Sequence, residues 1–428
     1  MKSSQIKSLF ILCALCMGTL LSAQDYYVYV ASESEDEVAV IKFDGEKATV
    51  EETITVGYNP TEIEGPHGIT VSPDGKYWFL SMAHGMPYGK VYKYTTGDNE
   101  IVGSTELGLF PASMQISKAT GFLYVVNFNL HGKMVPSSVS VVDPQDMIEL
   151  TKVTTGAMPH GSRISADGMH QYSVSMMSGE LFEISTIDLK VSRKLDLEKS
   201  EMDHSKMNHD KKEEVDHSKM DHSKMNHDKK EEVDHSKMDH SKMNHDKKEE
   251  VDHSKMDHSK MDMSNNKMAP GHDMHAGMKH SVVKPTWVIP HPKGGRLYIA
   301  GNGSGEILEV DANKWEVTHR LQGGKGPYNV ELTPDGKLMV VTYKSEAKTA
   351  IWDLHTRKEL ARIENSRRVS HGIAISSDGK YAFVSVEGVG AEPGSVDVID
   401  LKKLEKVASA DVGKQAGGIA FWKMEDSK

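Results

Sequence analysis

One short phrase recurs along this chain and limits the folds open to it. SPDGKY stands at 72–77, SADGMH at 165–170, TPDGKL at 333–338 and SSDGKY at 376–381. Each reads as a hairpin turn of type I closed by a left-handed residue, a conformation that glycine adopts at low cost. Looser copies, SKATGF at 117–122 and HPKGGR at 291–296, keep the glycine. After each turn comes a segment rich in β-branched and aromatic residues, such as LYVVNF, RLYIAG, KLMVVT or YAFVSV.

A third strand follows each time (SVSVVD, EILEVD, TAIWDL, SVDVID), then a fourth (ELTKVTTG, EVTHRLQG, EKVASADVG). The unit occurs seven times at about 47 residues apiece, the spacing of propeller blades rather than of a sandwich. Helical periodicity is nowhere sustained. YYVYVAS, near the start, has the character of a second strand, and a lone first-type strand, GGIAFW, stands at 417–422. One blade is therefore expected to be assembled from both ends of the chain, which shuts the ring and removes free edges. The expected fold is all-β, a seven-bladed β-propeller closed by a C-terminal strand. Blades 1–4 are expected over 24–197, and blades 5–7 plus the closing strand over 284–428.

The first 23 residues carry Lys2 and Lys7, an apolar run, then Ser22 and Ala23, the order of a secretory signal. An exported protein, periplasmic or extracellular, is expected. Leu15 before Cys16 suits a lipoprotein signal poorly, so a lipid anchor is not favoured. Cys13 and Cys16 are the only cysteines and fall inside this segment, so the mature chain is expected to lack disulfides, thiolate metal sites and attached haem. No other stretch is apolar enough to span a membrane, and a net charge of -11 gives no reason to expect nucleic acid. No catalytic-serine, paired-carboxylate or phosphate-loop signature is convincing. GNGSG at 301–305 joins two strands and opens no helix.

Between the fourth and fifth units, over 198–283, globular composition stops. The phrase DHSKM repeats with NHDKKEEV between copies, in a full unit of eighteen residues at 216–233 and again at 234–251. From 202 to 280 there are thirteen of the 22 histidines and twelve of the 25 methionines, with no aromatic residue. Such a segment cannot build a core, and disorder in the absence of a ligand is expected. Imidazole suits copper, zinc and nickel, but a thioether is a soft donor that favours Cu(I), so the mixture points to copper as Cu(I), Cu(II) or both. The candidate ligands are His204, Met207 and His209; His217, Met220, His222, Met225 and His227; His235, Met238, His240, Met243 and His245; His253, Met256, His258 and Met261; and His272, Met274, His275, Met278 and His280. Their close spacing lets a flexible chain wrap several donors around one ion without long loop closure. The competing reading is a solvated, charge-balanced tether.

A second candidate site follows from register. His67, His160 and His371 each begin an inner strand in the sequence HG, and His84 and His131 fall in loops between second and third strands, so all five are expected on one face of the ring. The insert joins an outer strand to the next inner strand and belongs to the same face. Met86, Met134, Met158, Met176 and Met177 lie in the same set of loops, whereas His170, His291, His319 and His355 do not. The positions equivalent to His67 hold Ala112, Thr286, Tyr328 and Gly417, so the turn itself does not demand imidazole. These histidines read either as a metal or ligand site or as caps on backbone carbonyls.

With YVVN at 124–127 and the DGK turns in register, the chain resembles the YVTN-type β-propeller repeat family, whose relatives include the haem domain of cytochrome d1 and the propeller of nitrous oxide reductase. The insert resembles the Met- and His-rich segments of bacterial periplasmic copper-resistance proteins. The propeller resemblance implies the fold and little of the function. The chain lacks the cysteine-bearing copper domain of nitrous oxide reductase, and five rim histidines are fewer than its cluster uses. Haem is not expected either. The leading expectation is copper handling in the cell envelope, by storage, delivery or resistance, with metal ions and an envelope copper transporter or cuproenzyme as partners. The alternatives are an enzyme, oxidoreductase or hydrolase, working at the histidine-bearing face, and a protein-interaction scaffold.

Overall fold

The DG turns close as their sequence dictates. In the computed structural model, which describes residues 24–59, 61–85, 87–198 and 280–427, Ser72 Oγ donates to Asp74 at 2.6 Å and the Gly75 amide donates to the Ser72 carbonyl at 2.8 Å. Gly75, Gly168, Gly336 and Gly379 all have φ between 70° and 78°, the left-handed region that would strain a side chain. Each turn returns the chain antiparallel, and four strands so joined make one blade.

Seven four-stranded antiparallel sheets result, and no helix is present among the described residues. The inner strands run in ring order Ala416–Asp426, Pro66–Val71, Pro111–Ile116, Pro159–Ile164, Pro285–Pro290, Pro327–Leu332 and Val369–Ile375, for blades 1 to 7. Blade 1 joins the two ends of the chain: Ala416–Asp426 pairs with Gln24–Ser32, with Val28 opposite Phe421 and Val30 opposite Ile419. Second and third strands are buried on both faces and pack blade on blade, as where Tyr29 of blade 1 stacks on Trp78 of blade 2, which stacks on Tyr94.

The HG sequence of the inner strands now has a physical cause. In five blades the ladder to the second strand slips near the strand start, between Pro66 and Ile69, Pro111 and Met114, Pro159 and Ser162, Pro327 and Val330, and Ser370 and Ile373. In three of them the residue two after the first of the pair is a glycine, Gly68, Gly161 or Gly372, that lies against the next blade's backbone. A Cβ on Gly68 would stand 1.8 Å from the Ala112 carbonyl oxygen, and one on Gly418 would stand 1.9 Å from that of His67. Glycine is required there by close approach, and the residue before it, which carries imidazole in three blades, is not so constrained.

In blades 2, 6 and 7 a hydroxyl of the second strand completes the slip. Thr342 Oγ1 accepts from the Asn329 amide at 3.1 Å and donates to the His371 carbonyl of the next blade at 2.8 Å. Ser385 links Gly372 to Gly417 in the same way. Thr342→Val keeps the shape and strands both partners in a buried site, so it is expected to cost about 1–3 kcal/mol, measured by urea unfolding; unchanged stability would show that these cross-blade bonds do not contribute.

The described fold reaches Glu198 and resumes at His280, a few residues inside the 198–283 span set aside by composition. The Glu198 carboxylate accepts from Ser281 Oγ at 2.7 Å and from the Val282 amide at 3.0 Å. Leu197 and Val283, on either side, are buried. The two ends of the excursion are thus clasped together between blades 4 and 5. Residues 1–23, with the expected signal segment, and 199–279, with all the insert ligands except His280, lie outside the described residues, as does Met86.

Candidate functional site

Two tiers of side chains form the mouth of the central channel. The upper ends of the inner strands contribute, blade by blade, Gly417, His67, Ala112, His160, Thr286, Tyr328 and His371. The residue leaving each second strand contributes Glu33, Ala83, Phe128, Met176, Asn302, Lys344 and Glu387. The second tier sorts by sector: charged on blades 1, 6 and 7, apolar on blades 2 to 4.

Imidazoles gather across this mouth. The His67 ring centroid is 6.4 Å from that of His160 and 6.0 Å from that of His371, and His84 lies 6.2 Å from His131. Glu33 is 6% exposed and spans two of them, meeting His67 Nδ1 and His84 Nε2 at 2.8 Å each. Burial works to raise the Glu33 pKa, but its charge interaction with His67 and the hydrogen bonds from both rings outweigh this and hold the carboxyl well below its usual range. Burial likewise opposes protonation of His84, and Glu33 reverses it, so the His84 pKa is raised.

The other side of the mouth behaves differently. His160 Nδ1 bonds the Thr286 carbonyl at 2.9 Å, so His160 donates there, and the Tyr328 hydroxyl lies 3.0 Å from its Nε2. Burial, with His67 and Lys344 nearby, pushes His160 down to about 3. His371 is also driven well below its ordinary value, first by burial and then by Lys344. Lys344 Nζ meets Glu387 at 3.1 Å and lies 4.5 Å from the centroid of the Tyr328 ring. Burial disfavours the ammonium, but Glu387 prevails and the Lys344 pKa is raised. Burial lifts Tyr328 to about 12, so it stays a phenol that can donate.

Beneath the rings is a cavity of about 40 Å³, bordered by His67, His160 and His371 and kept open by Gly68, Gly372, Gly417 and Gly418, room for a water or two or a single ion. An ion pair crosses its floor. Arg163 of blade 4 reaches across blade 5 to Glu331 of blade 6, Nε to Oε1 2.9 Å, with the guanidinium carbon 4.5 Å from the Trp287 ring centroid.

All five rim histidines therefore lie at the mouth, though not as one unit. His67, His160 and His371 face the cavity, while His84 grips Glu33 from the other side and exposed His131 sits beside Phe110, ring centroids 5.6 Å apart. Met134, Met158, Met176 and Met177 pack with Phe110 and Phe128 in an apolar cluster. Phe110 and Met158 hold φ of 54° and 52° just before inner-strand prolines, and their packing offsets that strain. His170, His291, His319 and His355 lie away from the mouth, and His291 bonds the Gly336 carbonyl at 3.1 Å. His280 is exposed at the returning end of the clasp. Among the described residues no three His, Asp or Glu side chains stand ready-made around one metal position. Glu33, Tyr328, Lys344 and Glu387 escaped the sequence reading of the site. Reading the residue after each second strand in register would have found three of them.

No family model matches the chain, and no curated protein sequence does. Solved structures do match. A Lactobacillus plantarum protein superposes with a TM-score of 0.61 at 10% identity, over 93% of this chain and all of that one. A protein of unknown function from Desulfotomaculum acetoxidans gives 0.59 at 10% identity, over 92% and 98%. Hydrazine synthase of Kuenenia stuttgartiensis gives 0.52 at 19% identity, over 81% of each chain. At these identities the likeness is one of fold, the seven-bladed propeller.

Proposed function

We propose that this chain is an exported copper-binding β-propeller of the YVTN type, acting in envelope copper handling through its repeated DHSKM ligands. The observation that carries the reading is the alternation of His and Met at short, repeated spacing from 202 to 280, since a tether has no physical need for thioethers beside imidazoles. The Glu198 clasp supports it, because the ring can carry so long a segment without losing the packing of blades 4 and 5. Its partners are copper ions and an envelope transporter or cuproenzyme that exchanges them.

Full-length protein titrated with Cu(I) and Cu(II) is expected to take up several ions per chain, read by mass spectrometry after removal of free metal. Imidazoles bind only when neutral, so Cu(II) uptake should fall as pH drops below about 6.5, while Cu(I) held by thioethers persists. Fewer than one ion per chain at micromolar copper would overturn the reading.

A further inference from the structure

One of the imidazoles at the channel mouth has a nitrogen that the fold leaves unused. His371 is 8% exposed, and its Nδ1 has no hydrogen-bond partner. An orphaned buried group of this kind is destabilising, and this one borders the cavity it shares with His67 and His160.

Two of the three rings bordering that cavity are held from behind by hydrogen bonds, and the third faces a carboxylate. Glu33 lies 2.8 Å from His67 Nδ1, the Thr286 carbonyl 2.9 Å from His160 Nδ1, and Glu387 3.6 Å from His371 Nε2. Carboxylates and carbonyls at hydrogen-bond distance, as behind His67 and His160, fix the tautomer and orientation of metal-ligating imidazoles. Space is reserved as well: a Cβ on Gly417 would sit 3.7 Å from His371 Cε1 and occupy the gap that glycine leaves. The charges suit a cation better than an anion, since two carboxylates stand behind the rings and Lys344 is paired with one of them.

We propose that His67, His160 and His371 form a three-imidazole site for a single divalent first-row transition cation, distinct from the DHSKM repeats. Imidazoles sharing a tetrahedral ion at about 2.0–2.1 Å have centroids about 5 Å apart, and here they stand 6.0 and 6.4 Å from His67. Capture therefore draws His160 and His371 toward His67 by about 1 Å and takes His160 Nε2 from the Tyr328 hydroxyl. His84 is a positioning residue, holding the second oxygen of Glu33. The inference does not depend on the copper reading of the repeats.

The test uses the full chain, stripped of metal, loaded with zinc and dialysed against a competing chelator. Wild type is expected to retain one more zinc per chain than His371→Asn, whose affinity at this site falls by more than the roughly 100-fold typical of losing an outer partner. Cobalt in place of zinc should give a visible d–d band that His371→Asn lacks. Tyr328→Phe, which frees His160 Nε2, should bind zinc several-fold more tightly than wild type. Equal zinc retention by folded wild type and His371→Asn overturns the proposal, as does no retention by wild type, the result expected if the cavity holds only water. Should His371→Asn fail to fold, an unchanged affinity in Tyr328→Phe overturns it. Copper uptake by the repeats is scored separately, so either reading can fail alone.

Discussion

A chain cut after Gln415 is expected to lose cooperative folding altogether. The missing strand, Ala416–Asp426, is the inner strand of blade 1 and pairs with Gln24–Ser32 along its length. Trp422 lies against Tyr27 and Tyr29, with ring centroids 5.8 and 5.1 Å away, and Ala416 and Ile419 are buried with Val28, Val30 and Phe383. Gly418 touches the His67 carbonyl of blade 2, and Ser385 of blade 7 donates to Gly417 at 2.5 Å. Removing the strand thus unmakes three blade contacts at once. Each large apolar side chain taken out of the core forfeits about 1.5–3 kcal/mol, and with the lost ladder the sum reaches the roughly 5–15 kcal/mol that holds an ordinary domain together. The truncated protein should show no sigmoidal thermal transition by circular dichroism and should bind a hydrophobic dye. A transition within a few degrees of the intact chain would mean that the ring does not depend on its closure.

Arg163→Leu is expected to cost about 3–5 kcal/mol, because it leaves the Glu331 carboxylate unpaired in the channel floor. Both side chains are mostly buried, at 17% and 16% exposed. Burial already raises the Glu331 pKa, with Arg163 opposing. A carboxyl raised above its unfolded value favours the folded state at low pH and loses that advantage as pH rises through the folded pKa. The deficit of Arg163→Leu should therefore be largest near neutrality and shrink toward pH 5. The double variant Arg163→Leu, Glu331→Leu should recover most of the loss. Urea unfolding of the three variants and wild type checks this, and a deficit that grows with acidity would contradict it.

The ring was legible because its turns are local. Ser72, Asp74 and Gly75 make their bonds within a few residues, so the phrase they spell specifies the hairpin wherever it appears. Closure was legible from two strands of complementary type at opposite ends. The mouth was legible only in part. His67, His160 and His371 could be placed on one face by counting strands, but their partners come from other blades: Glu33 from blade 1 for His67, Thr286 from blade 5 for His160. Those pairs are separated by 34 and 126 residues, and no local pattern connects them. The Arg163–Glu331 floor spans 168 residues and was invisible for the same reason. The glycines after His67 and His160, Gly68 and Gly161, are likewise set by the approach of the neighbouring blade, which no local pattern shows.

The clasp at Glu198 also bears on how the repeat array can change over generations. Its two ends are pinned a hydrogen bond apart, so the entropy of closing the excursion grows only with the logarithm of its length, about 0.6 kcal/mol for each doubling. Units of eighteen residues can be duplicated or deleted by slippage in the coding sequence at almost no thermodynamic penalty to the host scaffold. Copy number is then free to differ from one lineage to the next while the architecture beneath it stays untouched.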